Sequence, residues 1–278
     1  MNIKTDKRIK KVVVFDTETT PVYTPCKPYW KTGLSTEGFL IGAIKEERYT
    51  YKGKEYRKAL CTLKCEQVVF DIGWTVAARN SGKIIEKRSY LVKEIFTNMK
   101  LMRNAHYFDK YPDYLVRLGN GDIEMKPWRE ILFQLQCDIE DYRINECYAY
   151  NIAFDINAIN NTSKYVTGKA FPLWELYSLK TNCLWGMACE TILQQKGFRK
   201  VAEKENWKSE CGNILTNAET TYRYLSGVYD FQESHTALED AIIETFIMSR
   251  CFKTHKHMSF GIINQPWKLV NQKEVQTN

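Results

Sequence analysis

Four apolar residues, Val12 to Phe15, run directly into the triplet Asp16-Thr17-Glu18. A short apolar, β-prone run of this kind predicts a strand that is buried on both faces, in the middle of a sheet. Side chains two residues apart on a strand point the same way, so Asp16 and Glu18 should emerge together. Open α/β sheets bind their ligands at the carboxyl ends of such strands.

Two carboxylates this close repel each other and raise each other's pKa. A divalent cation removes the conflict, and hard oxygen ligands suit Mg²⁺ or Mn²⁺. The alternative explanation of the triplet is a strand end followed by polar loop residues.

The chain has 278 residues, 44% of them hydrophobic and 26% charged, with a formal net charge of +7. These values fit one large folded domain, and the positive charge favours an anionic partner. The N-terminal residues do not have the pattern of a signal peptide, and no apolar run is long enough to cross a membrane. We therefore expect a reducing cytoplasm, no membrane partner, and cysteines that are mostly free and buried.

Two β-hairpins are predicted early in the chain, around Lys52-Gly53 and around Asn80-Ser81-Gly82. Apart from the first hairpin, the segment Thr20 to Gln67 is expected to be irregular, because three prolines open it. A further short strand, after the hairpins, is predicted to end at Asn151. The order of strands and helices predicts an α/β domain with a mixed sheet over residues 1–260, an insertion at 20–67 and a C-terminal tail at 261–278.

Apolar residues at helical spacing predict the later helices. The helix after Pro127 should bury one stripe, and the last helix, after His235, should bury another. A helix closing on Gly227 is expected to begin with a capping box of Thr216 and Glu219. The two predicted stripes are Trp128, Ile131, Leu132, Leu135 and Ile139, and Leu238, Ala241, Ile242, Thr245 and Met248.

Asp155 follows the strand that ends at Asn151 within one helical turn. The simplest explanation of this pair is a helix that Asn151 caps and whose dipole favours an acidic first turn.

His235 and Asp240 flank the start of the last helix. At about 100° per residue they cannot share one face of a straight helix, so His235 must lie at or before the first turn, where the chain can bend back. Ser234 is a candidate cap, and Glu239 and Glu244 are expected to be solvent-facing charges.

Taken in order, these three segments resemble the motifs of the DEDDh (epsilon-subunit-like) 3′-to-5′ exonucleases, and more narrowly the exonucleases carried by phages and prophages of Gram-positive bacteria. The first motif, Asp-x-Glu, looks like Asp16-Thr17-Glu18. The second, Asn-x-x-Phe-Asp, looks like Asn151, Phe154 and Asp155, and the third, His-x-Ala-x-x-Asp, looks like His235, Ala237 and Asp240.

The resemblance implies a ribonuclease H-like exonuclease fold, with a central mixed five-stranded sheet flanked by helices. It implies hydrolysis of phosphodiester bonds at the 3′ ends of single-stranded DNA, with release of nucleoside 5′-monophosphates, in the cytoplasm of a bacterial host. Two Mg²⁺ or Mn²⁺ ions would be held by four carboxylates, and His235 would accept a proton from water. The carboxylates are Asp16, Glu18, Asp155 and Asp240, and the implied substrate-binding residues are Thr17, Glu18, Asn151 and Phe154, with Phe154 packed beneath the site.

Two features depart from the family pattern. Tyr150 stands where the family often has His, and Thr20 to Gln67 is longer than the corresponding loop of many relatives. Four roles are open for this insertion: a lid over the site, a clamp on nucleic acid, a binding site for a partner protein, or an inert surface hairpin. An RNA-trimming exoribonuclease and a catalytically silent nucleic-acid-binding accessory module are the alternative functions, and a polymerase or another replication protein is a candidate partner.

Overall fold

The computed structural model describes residues 9–34, 40–171, 175 and 177–271. Its centre is a mixed sheet of seven strands in the order β5-β4-β3-β1-β6-β7, with β2 paired to β3. β1 pairs antiparallel with β3 and parallel with β6, so the predicted mixed α/β sheet is confirmed. The strands are β1 (Lys11–Leu34), β2 (Ala43–Tyr51), β3 (Lys54–Ala78), β4 (Ile84–Val92), β5 (Glu124–Lys126), β6 (Glu146–Ala149) and β7 (Lys180–Cys183).

The expected five strands were too few. The sheet gains β2, which extends it beyond the core, and the three-residue β5, which pairs in parallel with β4. β5 has too few residues to show a period of two, so the sequence pattern does not reveal it, whereas β2 belongs to the hairpin predicted around Lys52-Gly53.

Helices cover both faces of the sheet. Val13 and Phe15 pack with α1 to α5, whereas Val12 and Val14 pack with α6 to α10. This alternation explains the continuous apolar run of β1, since a strand buried on both faces needs apolar residues at every position. The helices are α1 (Lys93–Phe96), α2 (Met99–Met102), α3 (Tyr111–Asn120), α4 (Trp128–Tyr142), α5 (Ile152–Thr167), α6 (Leu184–Thr191), α7 (Lys196–Lys204), α8 (Ala218–Ser226), α9 (Ala237–Lys253) and α10 (Trp267–Asn271).

The helical stripes were predicted with mixed success. Every predicted residue of the α4 stripe is buried. In α9, Ala241, Thr245 and Met248 are buried, but Leu238 and Ile242 are only half-buried. The capping box of α8 was wrong, because Asn217 occupies the cap and its side chain accepts a hydrogen bond from the Thr220 N–H at 3.0 Å.

The segment Thr20 to Gln67, expected to be irregular, is a β-ribbon that we call the arm (residues 20–34, 43–51 and 54–67). β6 pairs with β1 only at Val13 and Val14, so the arm portion of β1 is an edge strand. Prolines are tolerated on an edge because its outward N–H groups need no partner strand. The predicted hairpin turn at Lys52-Gly53 is confirmed, with φ of 50° and 74°.

The predicted tail contributes α10, whose Val270 is fully buried, and residues 272–278 lie outside the described part of the chain. All nine cysteines are free, and five of them are buried, as expected. Among the described residues, no helix is both long enough and apolar enough to span a bilayer.

Candidate metal centre

The three residues of the first motif, at the end of the buried part of β1, point to opposite faces of the sheet. Asp16 and Glu18 face α9, whereas Thr17 between them points towards α5 and donates a hydrogen bond to Asp155 Oδ1 at 2.8 Å. The period of two in the strand therefore connects one triplet to two helices. Asp155, on the first turn of α5, is only 3% exposed.

The other two residues of the second motif differ from expectation. Asn151 lies at the cap position of α5, but its side chain makes no capping hydrogen bond. Phe154 is 41% exposed, so the expectation that it packs beneath the site was wrong. Ile152, Ala158 and Ile159 form the core-facing side of α5, which turns Phe154 outward.

His235 lies just before α9, as predicted, and has a φ of 49°. This left-handed conformation bends the chain back towards Asp240, on the first turn of the helix. The ligand atoms of Glu18, His235 and Asp240 lie within 4.8 Å of one another. A residue that the sequence did not indicate, Tyr107, stacks its ring on the His235 imidazole with centroids 4.3 Å apart.

The start of α9 is held tightly against β3. A Cβ on Gly73 would lie 2.2 Å from the backbone nitrogen of Leu238, so only glycine permits this approach. Asp71 accepts hydrogen bonds from the Ala237 N–H at 3.0 Å and from the Tyr114 hydroxyl at 2.7 Å. The expected cap, Ser234, was wrong, since a carboxylate from the neighbouring strand caps the helix instead.

Glu244 was expected to face solvent, but it is 3% exposed and belongs to the carboxylate cluster. Among the described residues, one of its carboxylate oxygens has no hydrogen-bond partner, while the main-chain N–H of Tyr150 donates to the carboxylate. Its position one helical turn after Asp240 is the signal that the sequence offered, because residues four apart share a helix face. Asp71 lies directly across from Glu18 in the sheet, but no sequence pattern indicated this, because the pairing register of β1 and β3 is seen only in the structure.

The five carboxylates that we call the acid cluster are Asp16, Glu18, Asp155, Asp240 and Glu244. Burial is the main cause that raises all five pKa values, and like charges add to it for every member except Asp155. The pKa rises to about 9 for Glu18, to about 7 for Asp155 and to about 8 for Asp240. In Asp155, the hydrogen bond from Thr17 opposes the rise.

Within the described part of the chain, no member of the acid cluster forms a salt bridge with a lysine or arginine. Buried anions without a cationic partner are costly, and a bound cation removes that cost. The group of Glu18, His235 and Asp240 could therefore hold a metal ion. A second group, Glu219, Glu233 and His235, shares the histidine with the first.

Burial, followed by the nearby Lys110 ammonium, lowers the pKa of His235. Lys110 is fixed beside the histidine, because its ammonium donates a hydrogen bond to the main-chain carbonyl of Ser234. A neutral imidazole at pH 7 can accept a proton or ligate a metal.

Comparison with protein-family models, with curated proteins and with solved structures gives no match to this chain.

Proposed function

We propose that the chain is a metal-dependent 3′-to-5′ exonuclease of ribonuclease H-like fold that releases nucleoside 5′-monophosphates from single-stranded DNA. The observation that carries the proposal is the acid cluster. Carboxylates from a strand end and two helix starts lie together, buried or half-buried, with raised pKa values, and among the described residues none of them forms a salt bridge with Lys or Arg.

The residues fit one or two hard divalent cations. Asp16, Glu18, Asp155 and Asp240 would hold Mg²⁺ or Mn²⁺, since hard ions prefer carboxylate oxygens. Bound cations of this kind supply an activated water and stabilise negative charge on a phosphodiester. The unpaired oxygen of Glu244 makes this residue a candidate fifth carboxylate of the site.

His235 is suited to accept the proton of the attacking water. Its lowered pKa leaves the ring neutral at pH 7, and stacking on Tyr107 fixes the plane of the ring. A positioned imidazole with a pKa near or below neutrality is an effective general base.

Two side chains beside the acid cluster are free to meet a substrate. Phe154 is 41% exposed one residue from Asp155, and Asn151 is exposed at the start of the same helix. An exposed ring beside a metal site can stack on a terminal base, which is how aromatic residues bind single strands. Main-chain groups at Thr17 and Glu18 would seat the terminal nucleotide.

The test uses a 5′-labelled single-stranded DNA with Mg²⁺ or Mn²⁺. We expect stepwise shortening from the 3′ end, complete loss of this activity in EDTA and in Asp16→Ala, and resistance of a 3′-phosphorylated strand. Asp109→Ala, which removes an acid outside the cluster, is the control. Equal rates for wild type and Asp16→Ala would show that the site is wrongly assigned.

A matched RNA strand, digested in parallel, separates the DNA-directed enzyme from an exoribonuclease. Tight binding of either strand without cleavage at any metal concentration would indicate an accessory module instead.

A further inference from the structure

A cavity of about 410 Å³ lies beside the acid cluster but outside it. It is formed where β6 meets α5, by the start of α6, the segment 209–217 and α10. This volume is within the range of small-molecule sites, roughly 300–1,000 Å³. Tyr150 joins the two places, because its side chain lines the cavity while its main-chain N–H bonds to Glu244.

Aromatic side chains form the walls of the cavity, and hydrogen bonds hold two of them in place. The Trp185 indole donates to Thr216 Oγ1 at 2.9 Å. The Tyr150 hydroxyl lies 2.6 Å from the Thr216 carbonyl oxygen and 2.7 Å from Thr221 Oγ1. Trp267, half-buried on α10, contributes a further ring. The rings therefore present flat apolar faces rather than free polar atoms.

Some polar side chains of the lining have no hydrogen-bond partner among the described residues, and Ser209 Oγ is one of them. No hydrogen bond to the side chains of Asn151 and Asn213 is present in the part of the chain that the structure describes. An amide offers one acceptor and two donors, which match the mixed donor and acceptor edge of a nucleobase.

The segment that carries these groups is anchored before any ligand arrives. Lys208 and Ile214 form an isolated antiparallel bridge. The Ile214 N–H donates to Asn271 Oδ1 at 2.8 Å, and the Leu215 N–H donates to the Trp207 carbonyl at 3.0 Å. The cavity is therefore preformed, which lowers the entropic cost of binding.

The lining excludes other ligand classes. None of its ten residues is Lys, Arg, Asp, Glu, His or Cys, so it offers neither a phosphate nor a metal its usual ligands. A purely aliphatic ligand would cover the Asn213 side-chain amide without giving it a hydrogen-bond partner, which costs free energy.

We propose that this cavity binds a nucleobase, stacked against its aromatic side chains, with the edge of the base hydrogen-bonded to the Asn213 side chain. The site is separate from Phe154 and the acid cluster, and it would hold a base other than the one at the scissile 3′ end. The inference rests on the proposed function in taking its ligand from a nucleic acid.

The experiment is equilibrium dialysis of the full chain with radiolabelled thymidine and deoxyadenosine in EDTA, with deoxyribose as a base-free competitor. Wild type should bind the nucleosides saturably, and deoxyribose should not compete. Asn213→Leu should weaken binding about tenfold, the effect of removing one or two hydrogen bonds. Trp267→Leu should weaken it at least as much.

Two matched variants serve as controls. Asn157→Leu changes an exposed asparagine of α5, and Trp30→Leu changes an exposed tryptophan of the arm, so both should bind like wild type. Urea unfolding midpoints check that each variant folds.

No saturable binding by wild type, or equal loss in Asn157→Leu and Asn213→Leu, would overturn the inference. Because the assay contains no metal and needs no cleavage, nucleoside binding by a chain that leaves DNA intact would refute the proposed function alone. Cleavage without nucleoside binding would refute the cavity alone.

Discussion

Replacing Asp240 with Asn should stabilise the metal-free protein at alkaline pH. Asp240 is 8% exposed, and its pKa rises from an ordinary 3.8 to about 8, mainly through burial and then through Glu233. Asp71 and Glu239 raise it further, Lys110 lowers it, and Asp240 itself raises the pKa of Asp16 and Glu18. Asparagine keeps the shape and removes the charge.

The direction in which stability changes with pH follows from the number of protons that the folded and unfolded states bind. Between about pH 4 and pH 8 the folded state keeps a proton that the unfolded state releases, so stability falls as pH rises through this range. One pKa unit is worth about 1.4 kcal/mol, which gives an upper limit of about 6 kcal/mol for a rise of about four units. Because neighbouring carboxyls take up protons when Asp240 ionises, we expect Asp240→Asn to gain about 2–3 kcal/mol at pH 8 and almost nothing at pH 4.5.

The assay is urea unfolding in EDTA at pH 4.5, 6 and 8, followed by tryptophan fluorescence. Added Mg²⁺ or Mn²⁺ should then stabilise the wild type and reverse the order of the two proteins, since ligands that bind only the folded state stabilise it. Asp109→Asn is the matched control, because Asp109 is exposed and lies outside the acid cluster, so its replacement should change stability little at any of these pH values. The reasoning fails if Asp240→Asn is no more stable than wild type at pH 8, or if its gain is the same at pH 4.5.

Three further changes test how the site and the arm are built. Gly73→Ala should destabilise the fold by about 2 kcal/mol or more and abolish stabilisation by Mg²⁺, because the new Cβ would clash with the backbone of α9. Thermal melts with and without metal measure both effects. Asp71→Ala should lower the free energy of unfolding in urea by about 1–3 kcal/mol, because it removes the α9 cap. Asp71→Asn keeps a hydrogen-bond acceptor and should lower it less. Equal losses in the two variants would contradict the capping role. Replacing Tyr49–Tyr56 by Asn-Gly, which joins the paired residues Arg48 and Arg57, should weaken binding to long single strands more than cleavage of dinucleotides. The slope of log affinity against log salt should shrink by about 0.7 for each phosphate that the shortened arm no longer reaches, and an unchanged slope would make the arm inert or a protein-binding site.

The sequence predicted those helices and strands whose buried residues form a regular pattern within one segment of the chain. The apolar run before Asp16 gave β1, and the spacing of apolar residues gave α4 with its whole buried stripe. The bend at His235 was also predictable, since helical geometry alone forbids a shared face with Asp240.

Features that depend on a neighbouring element were missed. The arm seemed irregular because its prolines disfavour a central strand, and nothing local shows that this stretch of β1 has an edge free of β6. Glu244 and Asp71 were missed because an acid is expected at the surface unless something else balances its charge. The cap of α9 comes from β3, 166 residues earlier in the chain.

The burial of the acid cluster argues against a purely structural role for these residues. A fold gains nothing from five carboxylates that repel one another, and apolar or amide residues of similar size would avoid the cost of burying them. The surrounding structure nevertheless fixes them closely, through the Gly73 contact, the Asp71 cap and the Thr17 hydrogen bond to Asp155. Strain of this kind is retained where another component relieves it, and the divalent cation that we propose for these clustered oxygen ligands would do so. The stability that the metal-free protein lacks is therefore the quantity that metal binding should restore.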